Sequence, residues 1–315
     1  MQSLCLLPQV YRDFKDINSF YQRERNVRVV SLVEHIGDIV ACEPIVRCFK
    51  EQDRNVKIIW IVCNKYRELL EHNPNVDKYI TVDCLSEWIY LKYFLQSLSK
   101  IVLTDLHMPN RLCSKFYLRL SNPNKGNITI NNYYEHGALL NVVLLIAGLP
   151  RLDLAPRMYL PAVRSHKLEN LPKHYIVIQT TSNEECRNWQ IDKWCELIRH
   201  YKECTFIEVG LSETIKGIEN CDSHFCGKTT LLEVGQIIQS ADLFIGVDSA
   251  FAHFANALSV PGVILLGKYK IFERYIPYTG NYANGINAEI IQYHEIVAKL
   301  PVSMVCEAVD RIRNN

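Results

Sequence analysis

Residues 244–267, FIGVDSAFAHFANALSVPGVILLG, constrain the fold more than any other stretch of this chain. Phe244, Ile245, Gly246 and Val247 form a buried-strand pattern. Asp248-Ser249 is a helix-start signal, because either side-chain oxygen can accept from the free amides of a first turn. Ala252, Ala255, Asn256 and Ala257 describe a narrow helix that can lie close to a sheet. Ser259-Val260-Pro261-Gly262 turns the chain, and Val263 to Leu266 is a second buried strand, ended by Gly267. Such a βαβ unit sets the start of its helix at the carboxyl edge of a parallel sheet. Free amides and the helix dipole favour an anionic ligand there.

The rest of the chain repeats the alternation. Strands are expected at 27–33, 56–62, 79–82 and 101–106, with helices at 38–51, 65–71, 85–98 and 134–148. After a proline-bearing connection at 151–172 a second series begins. Its strands are expected at 175–179 and 205–209 and its helices at 191–201 and 230–240, with a short helix at 213–219. The 244–267 unit and a final helix at 302–312 complete it. Residues 1–26 read as a polar N-terminal extension without clear periodicity, helical around 10–23. Alternation in both halves predicts two parallel α/β sheets with ligand over the carboxyl ends of their strands. The expected domains are 27–160 and 161–300, followed by a C-terminal helix at 301–315.

Composition excludes several classes. Net charge is +1, which removes any global case for nucleic-acid binding. No apolar run is long enough to span a bilayer. The first residues lack a basic segment and a small-residue cleavage site, so no signal peptide is expected. The 12 cysteines show no C-x-x-C and no zinc spacing. They read as reduced thiols, and the expected compartment is cytoplasmic. His294-Glu295 is not a metalloprotease motif, since Ala298 stands at the second histidine position.

Four segments carry a resemblance. Ile36-Gly37-Asp38-Ile39-Val40 with Glu43-Pro44-Ile45-Val46-Arg47 is the first. Thr180-Thr181 with Arg187-Asn188-Trp189 and Trp194 is the second. The third is Cys226-Gly227-Lys228-Thr229-Thr230-Leu231-Leu232-Glu233, and the fourth is Gly246-Val247-Asp248-Ser249-Ala250-Phe251-Ala252-His253. In this order they resemble the heptosyltransferase-type glycosyltransferases, glycosyltransferase family 9. The last segment is the specific one. The resemblance implies a GT-B fold, two facing Rossmann-like domains with parallel sheets, acceptor on the first and nucleotide-sugar on the second. It implies an inverting, metal-independent transfer, with heptose from ADP-heptose as the expected donor. A lipid-linked acceptor would place the protein peripherally at the inner face of the membrane. No cofactor, metal or nucleic acid is expected.

On that resemblance Asp38 is the candidate general base, since a carboxylate must take the proton of the attacking acceptor hydroxyl. The bland alternative is that Asp38 caps its helix. Arg187 is the candidate cation for the departing diphosphate, against a reading as a solvated surface arginine. Thr180, Thr181, Lys228, Asp248, Ser249 and His253 are donor-site candidates. Lys228 is not a Walker A lysine, because Asp222 stands where that motif needs glycine. His35, His107 and Arg111, with Lys115 nearby, are acceptor-side candidates. Where the family has glycine after the Asp-Ser/Thr pair, this chain has Ala250, whose methyl limits how closely a phosphate approaches the backbone. That departure motivates a rival reading, a catalytically inactive transferase-like binding or scaffold protein. A third reading is another GT-B enzyme, such as a sugar-nucleotide epimerase.

Overall fold

In the computed structural model, which describes residues 2–98, 101–124 and 126–314, the chain packs as two compact units, Met1–Leu152 and Asp153–Asn315. The end points 1 and 315 of the expected extension and C-terminal helix lie outside the described residues.

The first unit is built on a four-stranded parallel sheet in the order β3-β2-β1-β4. Its strands are β1 (Val27–Ser31), β2 (Lys57–Cys63), β3 (Lys78–Val82) and β4 (Val102–Asp105). The run KIIWIVC of β2 is apolar on both faces and is buried on both, as a central strand of a covered parallel sheet must be. Helix α1 (Leu7–Glu24) lies in what reads as an aperiodic extension. It buries Val10, Ile17 and Tyr21, spaced to fall on one stripe. Together with α5 (Leu85–Gln96) it joins the core over β1, β2 and β3.

The helix expected at 38–51 is two, α2 (Ile36–Ala41) and α3 (Glu43–Gln52). Pro44 has no amide hydrogen and cannot continue the ladder of the preceding turn, so it opens a new helix instead. The helix expected at 65–71 shortens to a 3₁₀ turn and α4 (Glu68–Glu71). That expected at 134–148 is α6 (Leu139–Ile146) behind a 3₁₀ turn at Tyr133–His136. Gly137, at φ +108, breaks the run.

The second unit holds a six-stranded parallel sheet, β10-β9-β8-β5-β6-β7. Its strands are β5 (Ile176–Gln179), β6 (Phe206–Glu208), β7 (Cys221–Asp222), β8 (Leu243–Val247), β9 (Gly262–Leu266) and β10 (Ala288–Gln292). Helices α7 (Ile191–His200) and α10 (Val302–Arg313) cover the core around Trp189 and Trp194. The others are α8 (Leu231–Gln239) and α9 (Ala250–Ala257). Residues 213–219 form no helix, because Glu208 draws this backbone inward: its carboxylate accepts from the amides of Thr214 (3.1 Å) and Ile215 (3.1 Å).

Residues 153–160, within the stretch read as a connection, pack on the second unit. Thr279 Oγ1 donates to the Leu154 carbonyl at 2.7 Å. Gly280 lies so close that a Cβ there would fall 2.4 Å from that of Ala155. No disulfide joins any described cysteines. No helix of the described residues is long and apolar enough to cross a membrane.

Candidate functional site

In the second unit, strand register sets the site. Gln179, the last residue of β5, pairs with Gly246 of β8, so Thr180 and Asp248 leave the sheet at the same carboxyl edge. Asp248 is only 2% exposed. A buried carboxylate needs strong partners, and two reach its Oδ2: Arg187 Nη1 at 3.0 Å and the Tyr275 hydroxyl at 2.9 Å. Arg187 also donates through Nη2 to Asn183 Oδ1 at 2.7 Å, and its guanidinium lies 4.9 Å from the centre of the Tyr269 ring. Tyr269 in turn donates to Glu184 at 2.7 Å. Burial, with Asp248 beside it, pushes the Tyr275 phenol far above its ordinary range, so it stays a donor.

The sequence explains why Arg187 can do this. Trp189, two residues on, is buried in the core and donates its indole N–H to the Leu300 carbonyl at 2.9 Å, with Trp194 edge-on against it at 5.1 Å. The two tryptophans of the second motif are anchors that fix the loop carrying Arg187.

Helix α9 begins at Ala250 with Ser249 as N-cap residue, but no side chain caps it. The Ser249 hydroxyl donates to Gln179 Oε1 instead. The first-turn amides are thus left without a capping side chain, the condition under which a helix start takes an anion. His253, one turn along, is 5% exposed with its ring 4.9 Å from that of Tyr278.

The other donor-side candidates are placed differently. Thr180 is buried and donates to Glu208 at 3.0 Å, a fully buried carboxylate that also accepts from Ser223 Oγ at 2.6 Å. Thr181 is half-buried. Lys228 is largely exposed and pairs with Glu213 at 3.4 Å. Gly227 before it, at φ +68, sits where a Cβ would fall 2.6 Å from the Leu211 carbonyl oxygen, so the turn needs glycine. The Thr230–Glu233 capping box then starts α8. The structure therefore brings Arg187, Asp248, Ser249 and His253 to one edge, while Thr180 and Lys228 have local partners of their own.

In the first unit, Ser31 at the end of β1 pairs with Asp105 at the end of β4. Asp38 lies in the first turn of α2, two residues inside the helix rather than at its start. It caps nothing: His35 is the N-cap residue, and no side chain bonds the first-turn amides. The Asp38 carboxylate is half-buried and makes no hydrogen bond to any described residue. Behind it, burial and the Asp38 charge push the Cys42 thiol well up, leaving it protonated and inert.

His35 holds a left-handed backbone (φ +68), a strained conformation for a non-glycine residue. Its ring contacts Arg111 Nη2, which also pairs with Glu34 at 2.8 Å. His107 is 3% exposed, and both ring nitrogens are engaged. Nε2 accepts from the Val33 amide at 2.9 Å, so Nδ1 carries the proton it shares with Asp105 at 2.7 Å. The ring ties the end of β1 to β4 and has no nitrogen left for a ligand. Among the described residues, no group of three or more His, Cys, Asp or Glu is placed to hold a metal ion.

Sequence reasoning missed Tyr275, Tyr269, Asn183 and Gln179. One signal existed for the tyrosines. Tyr269, Phe272, Tyr275, Tyr278 and Tyr282 recur every three or four residues in the loop after β9, and all five are buried.

Residues 150–295 match the family model described as glycosyltransferase family 9 (heptosyltransferase). Lipopolysaccharide heptosyltransferase 3 of Escherichia coli strain K12 is 33% identical over 106 residues, covering 30% of this chain and 31% of that protein. The chain spans 31% and 32% of the length of the two curated relatives it matches. Among solved structures, E. coli ADP-heptose lipopolysaccharide heptosyltransferase II superposes with a TM-score of 0.64 at 15% identity, over 91% of this chain and 98% of that one. A glycosyltransferase family 9 protein from Veillonella parvula DSM 2008 gives 0.68 at 16% identity, over 91% and 97%. These likenesses establish the expected GT-B class, two Rossmann-like domains with parallel sheets. Motifs, fold and the match over 150–295 point the same way: across most of its second unit, this chain is similar to glycosyltransferase family 9 (heptosyltransferase).

Proposed function

We propose that the protein is an inverting glycosyltransferase that moves heptose from ADP-heptose to a glycan, lipid-linked or protein acceptor without a metal ion. The observation that carries this reading is the Asp38 carboxylate: it neither caps its helix nor bonds any described residue, and the residues around it resemble the family's first motif. In the reaction, an acceptor hydroxyl attacks the anomeric carbon while Asp38 takes its proton. The bond from that carbon to the diphosphate oxygen breaks, and negative charge grows on the nucleoside diphosphate. Arg187, held by Asp248, Asn183 and the Tyr269 ring, is a fixed cation that needs no reorganisation to meet that charge. The start of α9 takes phosphate, Asp248 takes sugar hydroxyls, and His253 lines the same site. Arg111 and His35 face the acceptor. A lipid-linked acceptor would bring the protein to the inner face of the membrane.

A donor screen by mass spectrometry tests this, watching for nucleoside diphosphate release from ADP-, UDP- and GDP-sugars. Asp38→Ala should lose about 10²- to 10⁴-fold in turnover with donor affinity retained. Full activity in that variant, or no turnover of any nucleotide-sugar, would sink the reading. Activity should survive a chelator. The rival, an inactive scaffold, follows from Ala250 and predicts no thermal stabilisation by ADP, UDP or GDP. An epimerase would convert the sugar nucleotide without acceptor.

A further inference from the structure

An arginine beside a carboxylate ordinarily closes a two-point fork, one N–H to each oxygen. Arg187 and Asp248 do not. Only Nη1 reaches the carboxylate, at Oδ2, while Nη2 is drawn to Asn183. The second donor to Oδ2 is the Tyr275 hydroxyl. No donor reaches Oδ1 from any described residue. Tyr275 is itself 6% exposed, and its loop is braced by neighbouring buried tyrosines: the Tyr269 and Tyr275 rings lie 5.8 Å apart, and Tyr282 donates to the Val260 carbonyl at 2.8 Å. The phenol is therefore held in place rather than drawn in by the carboxylate.

We propose that Tyr275 is a positioning residue for donor-sugar recognition: with Arg187 it saturates Oδ2 of Asp248 and so reserves Oδ1 for a hydroxyl of the donor's sugar. This rests on the donor-side reading given above. Without the phenol, Asp248 is free to rotate into the two-point fork with Arg187. Both its oxygens are then consumed inside the protein and the sugar loses its acceptor. The nucleotide's diphosphate does not depend on Asp248 Oδ1, so the change acts on the sugar alone.

Titration calorimetry with ADP and with ADP-heptose on wild type and Tyr275→Phe tests this. Each affinity reports only folded sites, and the ratio of the two removes any general loss of structure. The expected result is that ADP-heptose's advantage over ADP falls about tenfold in Tyr275→Phe while ADP binding changes by less than about twofold. In turnover the same variant should raise KM for donor. An unchanged advantage overturns the proposal, as does parallel weakening of both ligands, which would make Tyr275 merely structural. Wild-type protein that binds neither ligand would overturn the donor reading itself, and the proposal with it.

Discussion

Replacing Asp105 by Asn should unpick the tie that holds the strand leading to Asp38. The carboxylate accepts from His107 Nδ1 at 2.7 Å, Lys92 Nζ at 2.7 Å and the Trp88 indole at 3.4 Å. Burial opposes its ionisation, yet His107 and Lys92 hold its pKa down at about 2, from 3.8. That depression is worth about 2 kcal/mol at neutral pH. His107 is neutral in this arrangement, since Nε2 accepts from Val33. Its share comes through a hydrogen bond rather than a full charge. A depressed carboxylate pKa gives stability that is complete above the unfolded value and is lost as pH falls through the folded one. The gap between wild type and Asp105→Asn should therefore stand at about 2 kcal/mol at pH 7 and close between about pH 4 and pH 2. Hydrogen exchange over residues 28–40 reads this locally, because the Val33 amide is bonded to His107. A gap under about 0.5 kcal/mol at pH 7, or one that persists unchanged to pH 2, would refute the reasoning.

Two further outcomes follow from charged groups elsewhere. A double-mutant cycle of Arg187→Met and Asp248→Asn, followed by urea unfolding, should show a coupling of about 2–3 kcal/mol, because the carboxylate is almost fully buried; additive losses would mean the pair is not energetically real. Asp13 on α1 is raised to about 6, chiefly by burial, with Glu87 and Asp16 adding repulsion and Gln9 opposing. Its ionisation thus penalises the fold increasingly from about pH 4 to pH 6. With allowance for solvent screening of a half-exposed group, Asp13→Asn should gain about 1 kcal/mol at pH 7.5 and nothing at pH 3.5. A gain of equal size at both pH values would contradict this.

Much of the architecture was legible in the chain because its strands are covered on both faces. Apolar runs such as KIIWIVC and FIGV announce themselves, and the helices between them carry apolar stripes. β10 was not legible. It is five residues long, follows a loop rich in tyrosine, glycine and asparagine, and becomes a strand only by pairing with β9 from Ala288↔Gly262 onward. The expected helix at 213–219 failed for a related reason: Glu208 claims its amides from outside any local window. The break at Gly137 and the restart at Pro44 were visible as residues, but each sat inside a pattern that otherwise read as continuous helix.

The candidate site divides in the same way. The sequence by itself singled out the candidate residues, because Asp38, Arg187 and Asp248 sit in motifs whose strand–turn–helix context is local. It also determined that a helix start lies just after Asp248. Only the tertiary structure decided what those residues do with their hydrogen bonds. It left Asp38 uncommitted, closed both nitrogens of His107, set Lys228 against Glu213, and put the Tyr275 hydroxyl on Asp248 from 27 residues away. Periodicity and capping rules report on neighbours within a turn or a strand. The partner of a buried charge is chosen by register across a sheet and by where a distant loop comes to rest, and neither leaves a mark on the local sequence.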